Sequence, residues 1–292
     1  MKLNKVINDI ADRFAAADLH YGHGTDNPYD ESVYLTFSLL GIDFEQDPRS
    51  LKRTLSNEEL QLLDSKVRQR IEERTPVAFL VGEAWFAGHK FNCDARALIP
   101  RSPIAELIRQ KFQPLIESPP RRILDLCCGG GCIGIACAHE FPDSQVDLVD
   151  LPEDCLALAA DNVALHKLAE RVSCVRSDLF SGLEGAYDLI VSNPPYVSRQ
   201  ELEALPAEYG HEPQLGLLSR DDGLQIPLTV LQRAGNFLTS DGLLIMEVGY
   251  SAELLVHRLP DVPFRWLEFE HGGEGVFALQ AAQLRQYCDS LD

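Results

Sequence analysis

Apolar residues at Leu3, Val6, Ile7, Ile10 and Phe14 recur three or four positions apart, which predicts a helix with one apolar face. A second helix is expected over DESVYLTFSLL, with Asp30 as its cap and Gly41 as its stop. Ser56 and Glu59 stand three apart ahead of QLLDSKVRQRIEER, the spacing at which each side chain satisfies a free backbone N–H of the other. Pro76 lies beyond the end of that third helix. The texture then changes. VAFLVGEAWFAGHKFNCD mixes aromatic and β-branched residues around Gly82 and Gly88, which predicts a small β-hairpin. IPRSPIAELIRQKF predicts a turn entering a helix, and the polar, Pro-rich QPLIESPPRR a short linker.

From Arg122 the pattern alternates. RILDLCC, QVDLVDL, RVSCVRSD, YDLIVSN and GLLIMEVG are apolar, strand-like runs. GCIGIACAHEF, EDCLALAADNVALHKL and GLQIPLTVLQRAGNFL have helical texture and fall between them. FRWLEFE and GVFALQ, joined by HGGE, are expected to close the chain as a strand pair. Such alternation predicts an α/β fold, a parallel sheet covered by helices on both faces. The expected organisation is a helical domain over 1–75, a hairpin and linker over 76–120, and the α/β domain over 121–292.

Charge narrows the partners. With 26 Lys and Arg against 45 Asp and Glu, the formal net charge is -19. A DNA binder must neutralise phosphates, so direct DNA binding is not expected. An acidic surface suits a basic protein. No apolar run approaches the ~18 residues of a membrane span, and MKLNKVINDIADRF lacks the unbroken apolar core of an export signal. A cytoplasmic protein is expected. The cysteines Cys93, Cys127, Cys128, Cys132, Cys137, Cys155, Cys174 and Cys288 form no paired CxxC clusters, so mostly buried, reduced thiols are expected and no metal site. Trp85 and Trp266 sit in strand-like runs and are expected in the core.

The candidate chemistry sits at strand ends. Asp125 closes the first α/β strand, and Gly129, Gly130 and Gly131 follow, a loop able to approach a ligand closely before a helix begins. Asp150 ends the second strand, where a carboxylate can accept from two ribose hydroxyls. Asp178 ends the third, where it can face an adenine amino group. Ligands of open α/β sheets bind at these carboxyl ends. The spacing DLCCGGG differs from the GxGxxG of dinucleotide folds.

Asn193, Pro194, Pro195 and Tyr196 close the fourth strand. A planar amide or amino nitrogen is a poor nucleophile, because its lone pair is delocalised. The Asn193 side-chain oxygen and the Pro194 carbonyl can accept its two N–H groups and aim the nitrogen, which is catalysis by positioning. Pro195 stiffens the loop, and Tyr196 can pack on a planar group or near a cation. His211 and Glu212 lack the second histidine of a zinc hydrolase motif. Their segment reads either as a substrate-facing loop or as a structural turn.

DLCCGGG, Asp150, SDLF and NPPY resemble, in order and spacing, the class I methyltransferases that modify planar nitrogens. IPRSPIAELI and HEPQLGLLSRDDGL extend the resemblance to the protein-glutamine methyltransferases, over nearly the whole chain. GHGTDNPYDES, HEPQLGLLS and PDVPFRWLEFEHGGEGVF resemble the branch that acts on large-subunit ribosomal protein three, with the branch that acts on peptide-chain release factors and an amino-methyltransferase acting on DNA as the alternatives. The resemblance implies a Rossmann-like domain with a mostly parallel seven-stranded sheet, S-adenosylmethionine as cofactor, and a basic ribosomal protein, free or in an assembly intermediate, as substrate. It implies cofactor contacts at Asp125, Cys127, Gly129 to Gly131, Asp150, Asp178, Leu179 and Asn193. Asn193 and Pro194 would grip the substrate amide, flanked by Pro195 and Tyr196. Cys127 stands where the family has the first glycine of its loop.

Overall fold

The structure, a computed structural model, describes residues 1–288; residues 289–292, the expected end of the α/β domain, lie outside it. Helices α1 (Leu3–Ala15), α2 (Pro28–Leu40) and α3 (Asn57–Glu72) build the first domain. The five periodic apolar residues of α1 are all buried. Ser56 and Glu59 form the reciprocal cap of α3, and Gly41 ends α2 in the left-handed conformation.

The start of α2 corrects one expectation. Asn27, not Asp30, is the cap, and its side chain accepts the Asp30 N–H at 2.9 Å. Pro28 decides this: its fixed φ and missing N–H suit the first helical position. Asp30 instead adds negative charge to the first turn.

The predicted hairpin is shorter than expected. Val77–Val81 forms a helix, α4, which Gly82 ends at φ 74°. Pro76 opens it, and burial of Val77 and Ala78 among the helical domain's side chains overrides the strand-like texture of the segment. The hairpin proper is β1 (Glu83–Phe86) and β2 (His89–Asn92), paired antiparallel. Trp85 is not core: it is 46% exposed, edge-on to Phe44. Alternation explains this, since Ala84 and Phe86 turn inward on either side of it. Ala84 packs with the helical domain and Phe86 with the sheet domain, so the hairpin bridges the two cores. α5 (Ile104–Arg109) and Phe112 also belong to the sheet domain's core, and Leu115 and Ile116 of the expected linker pack against it.

Seven strands form one sheet: β3 (Arg122–Leu126), β4 (Gln145–Asp150), β5 (Val172–Arg176), β6 (Tyr187–Ser192), β7 (Leu238–Glu247), β8 (Arg265–Trp266) and β9 (Val276–Gln280). Their spatial order is β5-β4-β3-β6-β7-β9-β8, the first four pairings parallel and the last two antiparallel. The expected closing pair is present, although β8 pairs over two residues only. Alternate side chains of β3 feed two cores. Ile123 joins one with α5, α6 (Cys132–Glu140) and α7 (Glu153–Leu165). Leu124 and Leu126 join the other with α8 (Gln225–Ala234), α9 (Ala252–Arg258) and α10 (Ala281–Tyr287). Trp266 packs against this second core.

Five cysteines are buried, Cys127 and Cys132 are half-buried, and Cys174, on the edge strand β5, is exposed; no disulfide links them. Among the described residues no helix is long and apolar enough to cross a membrane.

Candidate active site

Strand register assembles the site. Leu126 pairs with Val149 on one side and with Ser192 on the other, and Ser192 pairs with Met246. The next residue of each strand is therefore Cys127, Asp150, Asn193 or Glu247, aligned along one edge. Strand order reverses between β3 and β6, the switch point where open α/β sheets hold ligands. A cavity of about 750 Å³ opens there, lined by Cys127, Gly129, Gly130, Asp150, Asp178, Leu179, Asn193, Pro194, Pro195 and Tyr196 among others. Of the residues singled out from sequence, Asp125 and Gly131 are absent from its wall.

Asp125 lies behind the loop, fully buried, and its Oδ2 accepts the Gly134 N–H at 2.7 Å. It ties β3 to α6 and does not face the cavity. Burial, and secondarily the charge of Asp150, pushes its pKa up from 3.8 to about 7 against the Gly134 hydrogen bond. Its Oδ1 has no partner, which favours the neutral acid. The folded state thus holds a proton that the unfolded chain releases. The stability this proton confers is complete below about pH 4 and is lost as pH rises through about 7. Asp125→Asn is expected to flatten that decline. Urea midpoints at pH 5 and pH 8 that shift equally for both proteins would contradict it.

The loop turns through left-handed backbone at Cys127, Gly129 and Gly131, with φ of 61°, 53° and 79°. Such a φ at Cys127 explains a glycine preference at this position; a cysteine there carries about 1 kcal/mol of strain. A side chain on Gly131 would lie 2.8 Å from Leu148 Cδ1, so the start of α6 presses directly on the sheet.

Asp150 is held by two amides. Gly129 N–H donates to Oδ2 at 2.7 Å and Leu151 N–H to Oδ1 at 2.8 Å. Burial raises its pKa, and the two amides oppose the shift. Each oxygen keeps a lone pair for a ligand hydroxyl. Asp178 is exposed at the cavity wall beside Leu179, itself at φ 50°.

Asn193 is half-buried at the cavity, and its side chain makes no hydrogen bond to another described residue. Ser192 Oγ anchors the strand end by donating to the Leu126 carbonyl at 2.7 Å. Tyr196 is fixed at both ends. Its hydroxyl donates to Glu247 Oε1 at 3.0 Å, and its carbonyl accepts from Ser251 Oγ at 3.0 Å. The ring lies against Gly249, where an added Cβ would come 2.7 Å from Cε2. Glu247 is buried and also accepts from Ser102 Oγ. Burial pushes its pKa up, opposed by Ser102, Tyr196 and the charge of Arg101.

Glu247 went unnoticed in the sequence, although its signal matches that of Asp150: a carboxylate closing an apolar strand. The ambiguous segment around His211 and Glu212 does two things. Glu212 is a buried anchor, gripped by Arg101 through two hydrogen bonds of 2.6 and 2.9 Å and approached by His23 Nε2 at 2.7 Å. Its neighbours Tyr209, Pro213 and Leu215 line the cavity, and the Arg101 guanidinium lies over the Tyr209 ring at 5.1 Å. A second buried cluster ties the same loop to the helical domain. Arg70 donates to Glu31 and to Glu208, each at 3.0 Å, and to the His20 carbonyl at 2.7 Å.

Residues 106–208, from α5 past Tyr196, match the family model of the methyltransferase small domain. The ribosomal protein uL3 glutamine methyltransferase of Xanthomonas campestris is 48% identical, covering 93% of this chain and 89% of that one. The enzyme of the same name from Francisella tularensis is 43% identical, covering 94% and 89%. The solved hMettl16 catalytic domain, in complex with a 3′UTR hairpin, superposes with a TM-score of 0.50 at 16% identity, over 77% of this chain and 81% of that one. That likeness bears on the fold alone. Identities of 43% and 48% over more than nine-tenths of its length place this chain in the family of ribosomal protein uL3 glutamine methyltransferases.

Proposed function

We propose that this enzyme transfers the methyl group of S-adenosylmethionine to the side-chain amide nitrogen of a glutamine in ribosomal protein uL3. The observation that carries the reading is the unpaired Asn193 amide at the strand-end crevice it shares with Asp150. The residues present fit the cofactor. Asp150 offers two amide-fixed carboxylate oxygens to a ribose diol, Asp178 an acceptor to an adenine amino group, and Leu151 and Leu179 apolar surface. The bound cofactor supplies an electrophilic methyl on a sulfonium.

The chain's own task is positioning. The Asn193 oxygen and the Pro194 carbonyl accept the two N–H groups of the glutamine amide and aim its nitrogen across the crevice. Tyr196, immobilised by Glu247, Ser251 and Gly249, forms a rigid wall beside it. Asp150→Ala is expected to weaken cofactor binding by about 2–3 kcal/mol with the fold intact. Calorimetry giving wild-type affinity would contradict that role.

A glutamine side chain is common to all proteins, so selection must come from outside the catalytic pocket. We assign it to the helical domain of residues 1–75, which the Arg70 and Glu212 clusters couple to the cavity loop. A basic ribosomal protein, free or in an assembly intermediate, complements the net charge of -19, which disfavours DNA. The cytoplasm is where such a substrate is made. Higher salt is then expected to slow association with uL3, because screening weakens steering. A stopped-flow association rate independent of salt would contradict the charge argument. Labelled methyl transfer to purified uL3, to a peptide-chain release factor and to DNA tests the reading as a whole. Preference for uL3 is expected; preference for either of the others overturns the substrate.

A further inference from the structure

Away from the crevice, three histidines converge from three elements. His89 opens β2, His139 lies in the last turn of α6, and His166 caps the C-terminus of α7. One ring nitrogen of each lies within 4.8 Å of the others, and all three residues are half-buried. His139 Nε2 and His166 Nδ1 stand 3.0 Å apart, and the His89 ring stacks on His139 with centroids 4.3 Å apart. None of the three lines the cofactor cavity.

We propose that His89, His139 and His166 form a binding site for one transition-metal dication of the zinc class, which fastens the hairpin to the sheet domain. Imidazole suits zinc, copper and nickel, and metal–nitrogen bonds of ~2.1 Å place neighbouring tetrahedral ligand atoms about 3.4 Å apart. The His139–His166 pair is within a few tenths of an ångström of that spacing. His89, on a hairpin strand, closes the rest by side-chain rotation. The half-exposed setting leaves a fourth position to water.

Helices α6 and α7 both end at this cluster. Arg171 offsets the negative end of α6 by donating to the Ala138 and Phe141 carbonyls, so the terminal carbonyls of α7 supply the local negative field. Glu140, next to His139, is paired with Lys111. The other ring nitrogen of His166, Nε2, is buried with no hydrogen-bond partner among the described residues. Without a metal, a single N–H···N bond between His139 and His166 accounts for the 3.0 Å distance.

The test uses tag-free, chelator-treated, full-length enzyme titrated with Co²⁺ as a spectroscopic probe. One equivalent is expected to bind, with visible absorption of tetrahedral intensity that Zn²⁺ bleaches. His139→Ala and His166→Ala are expected to weaken binding by about tenfold or more, while cofactor affinity, read by calorimetry on the same samples, stays at the wild-type value. His89→Asn, on the hairpin, serves as the variant least able to disturb the core. Zn²⁺ is expected to raise the thermal midpoint of the wild type and not of His139→Ala. Absence of saturable uptake, or uptake unchanged in all three variants, overturns the proposal.

Discussion

Asn193→Ala is expected to bind S-adenosylmethionine nearly normally and to slow methyl transfer roughly a hundredfold or more, the scale of lost positioning. Asp150 and the loop amides remain in place in this variant, so most of the ground-state cofactor site is kept. What disappears is one of the two acceptors that orient a nitrogen with little nucleophilicity of its own. Asn193→Asp is expected to fail as well. It keeps an oxygen, but it places a carboxylate beside the sulfonium, stabilising the ground state and changing how the amide is held. Single-turnover rates at saturating cofactor and protein substrate measure this directly. A wild-type rate for Asn193→Ala would mean that the strand-end loop does not grip the substrate.

Arg70→Ala is expected to lower unfolding free energy by about 3–5 kcal/mol, the cost of leaving buried charge uncompensated. Arg70 is 1% exposed and stands between Glu31 and Glu208, both also buried. The two carboxylates differ. Burial raises the pKa of Glu31 despite Arg70. Burial acts on Glu208 too, but hydrogen bonds from Arg70 and from backbone N–H groups, including that of His20, outweigh it and hold its pKa low. Glu208 is therefore the partner left most strongly charged when Arg70 is removed. Because Glu208 sits in the cavity loop and Glu31 in the helical domain, the variant is also expected to raise KM for the protein substrate more than for the cofactor. Urea unfolding within 1 kcal/mol of wild type would contradict the buried-pair account.

Much of this was legible in the sequence, for a specific reason. Asp150, Asp178 and Asn193 each follow or end an apolar run, and register brings such strand ends to one crevice. Local pattern was therefore enough to place them. It failed where the deciding contact is distant. Arg101 and Glu212 are 111 positions apart, and Arg70 and Glu208 138, so neither pair leaves a periodic trace. His139 and His166 lie 27 apart on different helices. Val77–Val81 carries a strand-like composition, and only packing against the helical domain makes it a helix. Asp125 looked like its strand-end relatives, yet it lies one residue before the end of β3, so its side chain turns to α6 and away from the crevice. Glu247 has the strand-end pattern, and what singles it out is the tyrosine hydroxyl brought to it from β6's following loop.

The most direct measurement is to locate the transferred methyl. Free uL3 is incubated with the enzyme and isotopically labelled S-adenosylmethionine, digested, and fragmented by mass spectrometry. The result predicted is one added methyl on the side-chain amide nitrogen of a single glutamine, absent when Asn193→Ala replaces the wild type. A label on lysine, arginine or the chain termini of uL3, or no label on uL3 while a release factor or DNA is modified, would contradict the account.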